Sequence, residues 1–332
     1  VALLIDPPTW PAHGTLWSHL VSDSSLDELH AFAERLGLGR RAFDLDHYDV
    51  PADRHADCVA AGAHGVSGRE LIVRLRASGL RVPARDRAAA KAAALMARWD
   101  ALLPGVPGAP EVGADLVRRW HEPHRVYHGP SHLVHVLDSL AVLEGRSPGV
   151  PARGEPAPSG SSLRAQLALW FHDAVHEGVA GDDEEASAAL AAASLTPLLA
   201  GPTTTLGPGA DLAAGGSPLT ADDVAEVARL VRLTAGHDPS PDDAAGALVC
   251  DADLAILGAM PDRYARYVRQ VRAEYAHVPD DLFRAGRAAV LEQLLALPAL
   301  FRTPLGRERW AARAEENLRT ELAGLVGPPG AA

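Results

Sequence analysis

From residue 86 to residue 325 the apolar residues recur with helical spacing, and no stretch alternates as a half-buried strand would. The spacing predicts helices over roughly 86–102, 111–120, 131–144, 163–174, 182–199, 220–235, 243–258, 261–277, 280–297 and 305–324. Amphipathic helices with no sheet to cover must bury their apolar stripes against one another, so this part of the chain is expected to be all-α. Two interruptions, Ser147 to Ser162 and Gly201 to Ser217, are rich in Pro, Gly, Ser and Ala. They read as mobile loops rather than domain boundaries.

The first eighty or so residues have a different grain. Val1 to Ile5 is an apolar run stopped by Asp6-Pro7-Pro8, as expected of a short buried strand. Ser25-x-x-Glu28 is a capping box, after which Leu26, Leu29, Phe32, Ala33 and Leu36 keep helical spacing up to Gly37. Ala42 to Asp46 reads as a second strand, and Ser67-x-x-Glu70 opens a helix that Gly79 closes. A hinge over Arg81 to Arg87 then divides a small α/β domain, residues 1–82, from an all-α domain, residues 86–325.

Composition excludes several classes of function. Of 332 residues, 47% are hydrophobic, enough for a proper core, and the formal net charge of −12 argues against a protein that coats nucleic-acid polymers. A nucleotide substrate is still admitted, because a local arginine cluster or a metal can overcome the global field. Cys58 and Cys250 make neither a disulfide framework nor a thiolate zinc site, which fits a reducing cytoplasm. No charged-then-apolar signal segment opens the chain, and no run approaches the ~18 apolar residues of a membrane span, so the expectation is a cytoplasmic protein without a membrane partner. Lys91 is the only lysine and is followed by Ala92, which rules out a Gly-Lys-Ser/Thr phosphate loop.

The residues that carry chemistry lie in the helical part. Ser131 can cap the helix whose core face is Leu133, Val136, Leu137 and Leu140, which puts His132 in its first turn. The helix over 163–174 carries Leu167, Trp170 and Ala174 inward and delivers His172-Asp173 at its end. Neighbouring residues on a helix point ~100° apart, so one ion beyond the helix end can be reached by both. Asp251 and Asp253 sit in an otherwise apolar helix, where at least one carboxylate needs a cation or a strong hydrogen-bond partner. His132, His172, Asp173 and Asp253 together offer two imidazoles and two carboxylates, a donor set for a divalent ion that keeps positions open for water and phosphate oxygen.

This ordered set resembles the ligand signature of the HD superfamily of metal-dependent phosphohydrolases. Arg125-x-Tyr127-His128-x-x-x-His132 and Trp170-Phe171-His172-Asp173-Ala174-Val175 are similar to a bacterial branch of predicted phosphohydrolases, over about residues 86–325. The resemblance implies an HD-domain helical bundle with a divalent metal (Mn, Fe, Mg, Co or Ni) held by His132, His172, Asp173 and Asp253. It favours Asp253 over Asp251. It implies hydrolysis of a phosphate ester, of a nucleotide or nucleotide-like small molecule, by a metal-activated water. Tyr127-His128-x-x-x-His132 and His172-Asp173-x-x-His176-x-Gly178 also look like segments of cyclic nucleotide phosphodiesterases. Carried over, His128 is the general acid, Asp173 orients the nucleophile, and His176 belongs to the catalytic set. Arg125 suits a phosphate clamp by its bidentate geometry. His237 reads as a ligand for substrate phosphate or a second metal, or as a helix-end cap; Glu184 and Glu185 read as helix-dipole partners, or as acids near metal waters. Arg272, Glu274, Tyr275, Arg284 and Arg287 fall in segments that look like the same branch, and line either a substrate cavity or solvated helix faces.

In the amino-terminal part, in a segment dense in Trp and His, Asp6, His13 and His47 read either as a tryptophan-packed loop with satisfied histidines or as the lining of a small pocket at the strand ends. The segment resembles a short bacterial domain of unknown function that is sometimes found fused to HD domains. Two other classes of function stay open. One is an HD-like di-iron oxygenase, which would need well-separated extra histidines where only His176 and His237 stand. The other is a non-catalytic ligand- or partner-binding module.

Overall fold

The computed structural model describes residues 2–12, 14–39, 42–149, 156–179, 181–199 and 218–326. The chain divides into two compact units, Val1–Ala94 with Ser147–Gly149, and Leu95–Arg146 with Val150–Ala332. The Gly201 to Ser217 interruption and residues 150–155 of the other one lie outside the described residues, as does His13.

The first unit is built around the eight-residue strand β3, Thr15–Ser22. The strands β1, Leu3–Ile5, and β2, Trp10–Ala12, pair antiparallel with successive stretches of one edge of β3. On the other edge lies β4, Tyr48–Pro51, because Trp17 and Leu20 each have a partner on both sides. A two-residue strand β5, His64–Gly65, pairs parallel with β1. The prolines explain where these strands stop: Pro7 and Pro8 end β1, and Pro11 is tolerated because β2 pairs on one side. Along β1 the side chains alternate. Ile5 packs with Leu20, Tyr48 and Val50 under the helices α1, Leu26–Arg35, and α2, Ala52–Ala60, whereas Leu4 packs with Val21 under α3, Gly68–Ala77.

Both capping serines act as expected: Ser25 and Ser67 accept hydrogen bonds from the backbone N–H groups of Glu28 and Glu70. The expected strand over Ala42–Asp46 does not form. Leu45 takes a left-handed φ of 66°, which breaks an extended run, and pairing begins at Tyr48 instead. The β2–β3 hairpin and α2 were not anticipated from the sequence, since their apolar and polar residues alternate too irregularly to announce either.

The second unit is helical throughout its described residues. The long helix α4, Arg87–Asp100, leads into it. There follow α5, Ala109–Trp120; α6, Pro130–Leu143; α7, Gly160–Phe171; α8, Asp182–Leu195; and α9, Ala221–Leu233. Then come α10, Ala244–Leu254; α11, Pro261–Glu274; α12, Asp280–Ala296; the short α13, Pro304–Gly306; and α14, Ala312–Val326, entered through a π-helical turn at Arg307–Ala311. The helix expected over 305–324 thus runs from Pro304 to Val326 with the π-helical turn inside it. α6, α7 and α10 pack on one another, and α9 covers α7. The core at the end of α7 is aromatic: Trp99 and Trp170 meet edge to face, and Trp120 donates its indole N–H to the Trp170 carbonyl. No helix among the described residues is long and apolar enough to cross a membrane.

Candidate metal centre

Three helix ends bring the four expected ligands together. His132 lies in the first turn of α6, which Pro130 opens; His172 and Asp173 follow the end of α7; Asp253 is the penultimate residue of α10. The ends of α7 and α10 are both C-terminal, so their dipoles favour a cation between them. His132 and His172 face each other with Nε2 atoms 3.1 Å apart. Asp173 Oδ2 lies 3.5 and 3.2 Å from those two nitrogens, and Asp253 Oδ1 lies 3.3 and 3.5 Å from them. Donors bound to one ion at about 2.1 Å sit about 3.0–3.4 Å apart for angles between the octahedral and tetrahedral values, so these spacings fit a shared cation.

The chemistry of the donors fits as well. His172 Nδ1 donates to the Leu169 carbonyl at 2.8 Å, so Nε2 is the nitrogen that a cation would meet in place of a proton. Both histidines are buried, against Trp120 and Tyr127. Burial works against ionising Asp173 and Asp253, yet the facing imidazoles hold both carboxyls well below the usual carboxylate range. Burial likewise opposes charge on His132 and His172, but the two carboxylates raise both above the ordinary imidazole value. His132, His172 and Asp173 form a grouping that could hold a metal ion, and Asp253 stands within 3.5 Å of both imidazoles.

His237, at the end of α9, has a left-handed φ of 51°, and its Nε2 meets Asp253 Oδ2 at 2.8 Å. It therefore holds the Asp253 carboxylate through the oxygen turned away from the histidine pair. Asp251 is taken elsewhere: it is buried and accepts from the backbone N–H groups of Arg302 and Thr303 and from the Thr303 hydroxyl. Glu184 accepts from the Gly181 N–H and caps its own helix, and Glu185 pairs with Arg232. The acid that matters there is Asp183, which gathers the N–H groups of Glu177, Gly178 and Val179.

A second cluster adjoins the first. Glu274, the last residue of α11, accepts at Oε2 from the backbone N–H groups of Val126, Tyr127 and His128, at 2.7, 2.9 and 3.1 Å. Its Oε1 meets His128 Nδ1 at 2.5 Å and His176 Nε2 at 3.1 Å. Burial disfavours this carboxylate's charge, but the two histidines and the three amides hold its pKa far below the usual range. His128 in turn is lowered, chiefly by burial and also by the neighbouring imidazoles, against the pull of Glu274 and Asp173. Its ring lies 5.6 Å from that of His132. His176 is buried and bound to Glu274 rather than to the cluster of His132, His172, Asp173 and Asp253.

Arg125 corrects the sequence reading. Its side chain is fully buried. The guanidinium donates to the carbonyls of His128, Asp173 and Ala174 and to the Glu122 carboxylate. Those bonds occupy its five N–H donors, so none is left for phosphate. Arg125 instead clamps the turn at Asp173 and Ala174 that follows α7. Arg272, Arg284 and Arg287 are likewise engaged, with Asp280 and nearby carbonyls, with the carbonyls of Gly324 and Leu325, and with Glu321.

Sequence reasoning left two participants without a role. Glu274 was one lining residue among several, and nothing in its local sequence announces a partner 146 residues away. Tyr127 has a buried hydroxyl with no hydrogen-bond partner, and its ring lies 4.8 Å from that of His132. Burial, and then the nearby Tyr267, Asp253 and Asp173 charges, push its pKa well above 10.0, so it stays a proton-bearing donor. In the first unit, Asp6 binds His19, and His47 binds Asp46. Burial would lower the His47 imidazole's pKa, but Asp46 and Asp49 raise it to about 9.

Residues 3–78 match the family described as a protein of unknown function, DUF4031, in keeping with the resemblance noted for this segment. No curated protein and no solved structure matches the chain.

Proposed function

We propose that the helical unit is a metal-dependent phosphohydrolase of the HD type, acting on a phosphate ester of a nucleotide or nucleotide-like small molecule. The observation that carries this reading is the convergence of His132, His172, Asp173 and Asp253 at 3.1–3.5 Å, beside a histidine held by a buried glutamate. A divalent cation bound by the four ligands would supply Lewis acidity toward a phosphoryl oxygen and lower the pKa of water.

The remaining work falls to side chains of this protein. Glu274 fixes the His128 ring through Nδ1, leaving Nε2 to carry a proton to or from the ester. Burial lowers the His128 pKa, which favours the neutral imidazole between proton transfers. Tyr127 retains its proton and can donate to an oxygen that gains charge as the ester breaks. Arg125 and His237 hold the Asp173 turn and Asp253 in place.

The test is phosphate release by the purified chain from a panel of nucleotides and simple phosphate esters, with Mn²⁺, Mg²⁺, Fe²⁺, Co²⁺ or Ni²⁺ added, beside Asp173→Ala. Turnover that requires metal and vanishes in the variant supports the reading. Bound metal with no phosphate released from any ester would overturn it and direct attention to oxygen uptake.

A further inference from the structure

The register of the amino-terminal sheet assembles a second set of histidines and carboxylates. His19 of β3 and Asp49 of β4 are direct cross-strand partners, so their side chains share one face. His47 stands two residues before Asp49 and keeps the same parity. On the other edge of β3, the pairing of Ile5 with Leu20 continues one step further, where the Asp6 N–H donates to the His19 carbonyl at 3.2 Å. Residues from three separate stretches of chain thus meet in one short row.

Each imidazole in this row is held from behind by a buried carboxylate. Asp6 takes the His19 N–H at Oδ1 and His19 Nδ1 at Oδ2, the latter at 3.0 Å. Asp46 is buried, held by Arg81 and by the Val82 N–H, and meets His47 Nδ1 at 2.6 Å. Both Nδ1 atoms are therefore spoken for, which makes Nε2 the ring nitrogen through which each could meet a cation. His47 Nε2 lies 3.4 Å from Asp49 Oδ1, and one donor atom from each of His19, His47 and Asp49 falls within 4.8 Å of the others. The two rings are 5.0 Å apart, close to the 5.2 Å between His132 and His172.

We infer that His19, His47 and Asp49 form a second divalent-metal site, for an ion of the zinc class, with Asp6 and Asp46 as the carboxylates that orient its histidines. A carboxylate on the far nitrogen of each histidine is the arrangement that fixes a ligand's tautomer and raises its basicity. Two imidazoles and one carboxylate form a three-ligand set, which leaves a fourth tetrahedral position for water or a ligand. That position is reachable, because the Asp49 side chain is 46% exposed and His19 27% exposed. The buried four-ligand cluster of the helical unit plays no part in this site.

The test uses the full chain, stripped by chelator and reloaded with Zn²⁺ alone, as wild type, Asp49→Asn and Asp173→Asn. Asp49 is half exposed and its side-chain partner is His47, so Asn in its place leaves the fold intact. Zinc content and Kd are measured by elemental analysis and titration, and Co²⁺ loading reports coordination through its visible absorption. Asp49→Asn is expected to weaken one equivalent of Zn²⁺ by about tenfold or more and to remove a four-coordinate Co²⁺ band, additively with Asp173→Asn. Asp6→Asn is expected to weaken the same equivalent in the same direction. Unchanged stoichiometry and Kd in Asp49→Asn would overturn the inference, whatever Asp173→Asn does. Failure of the phosphohydrolase reading would appear in Asp173→Asn and in turnover instead.

Discussion

Glu274 and His128 are joined by a hydrogen bond of 2.5 Å although 146 residues separate them in the chain. The same carboxylate holds three consecutive backbone N–H groups leading to His128, so it sets both the ring and the loop that carries it. His128→Ala and Glu274→Gln should each lower kcat by about 10²–10⁴-fold without changing metal content. Because the two act as one unit, the double variant should lose little more than either single one. Steady-state kinetics on all three variants checks this, and simple multiplication of the losses would count against a shared role.

His237 touches Asp253 on the oxygen that faces away from the histidine pair. His237→Ala should leave the chain folded and weaken metal binding about 10–100-fold, the range for loss of a group that orients a ligand. Titration of the metal-free protein measures it. An unchanged Kd would return His237 to a helix-end role.

Arg125 should matter for stability rather than for substrate. Arg125→Met leaves the carbonyls of His128, Asp173 and Ala174 and the Glu122 carboxylate without their donor, a loss of about 3–5 kcal/mol. Urea denaturation reads this directly. A raised KM with unaltered stability would restore the phosphate-clamp reading.

Tyr127→Phe separates activity from stability by sign. Removing a buried hydroxyl that has no partner should leave stability unchanged or raise it by about 1 kcal/mol. If the hydroxyl serves an oxygen of the reacting ester, kcat should fall by about 10²-fold. Thermal melting and turnover on one preparation decide it.

Asp223 should give an acid response that involves neither histidine cluster. It caps α9 through the Thr220 N–H and hydroxyl and pairs with Arg164. Burial opposes its charge, but those partners hold its pKa below 3.8. The unfolded chain then binds the extra proton first. The stabilisation is present above 3.8 and is lost as pH falls through the folded value. Asp223→Asn should cost about 1 kcal/mol near neutrality, and the gap to wild type should begin to close as pH falls below 3.8 and go on closing through the folded value. A gap that stays constant over that range would show that the carboxylate's charge contributes nothing.

Much of the architecture was legible because helices depend on local periodicity. The stripe Leu133, Val136, Leu137 and Leu140 and the caps at Ser25 and Ser67 state their structure within a turn or two, and all are found where expected. The four metal-ligand candidates were legible for a related reason: buried His and Asp in apolar helices demand partners. The amino-terminal sheet was less so. Its strands are short, Leu45 breaks the one that looked plausible, and β2 carries a proline.

What the sequence determined by itself was the set of helices, their caps, and the residue types too costly to bury alone. Tertiary structure decided which of those residues meet. It turned Arg125 from a phosphate ligand into a clamp on backbone carbonyls, separated Asp251 from Asp253 by giving the first its own amide donors, and put Glu274 behind His128. It also brought Asp6, His19, His47 and Asp49 into one row through strand register. The division has a physical cause. A helix satisfies its backbone within four residues, whereas a buried charge is satisfied by whichever partner packing delivers, at any distance along the chain.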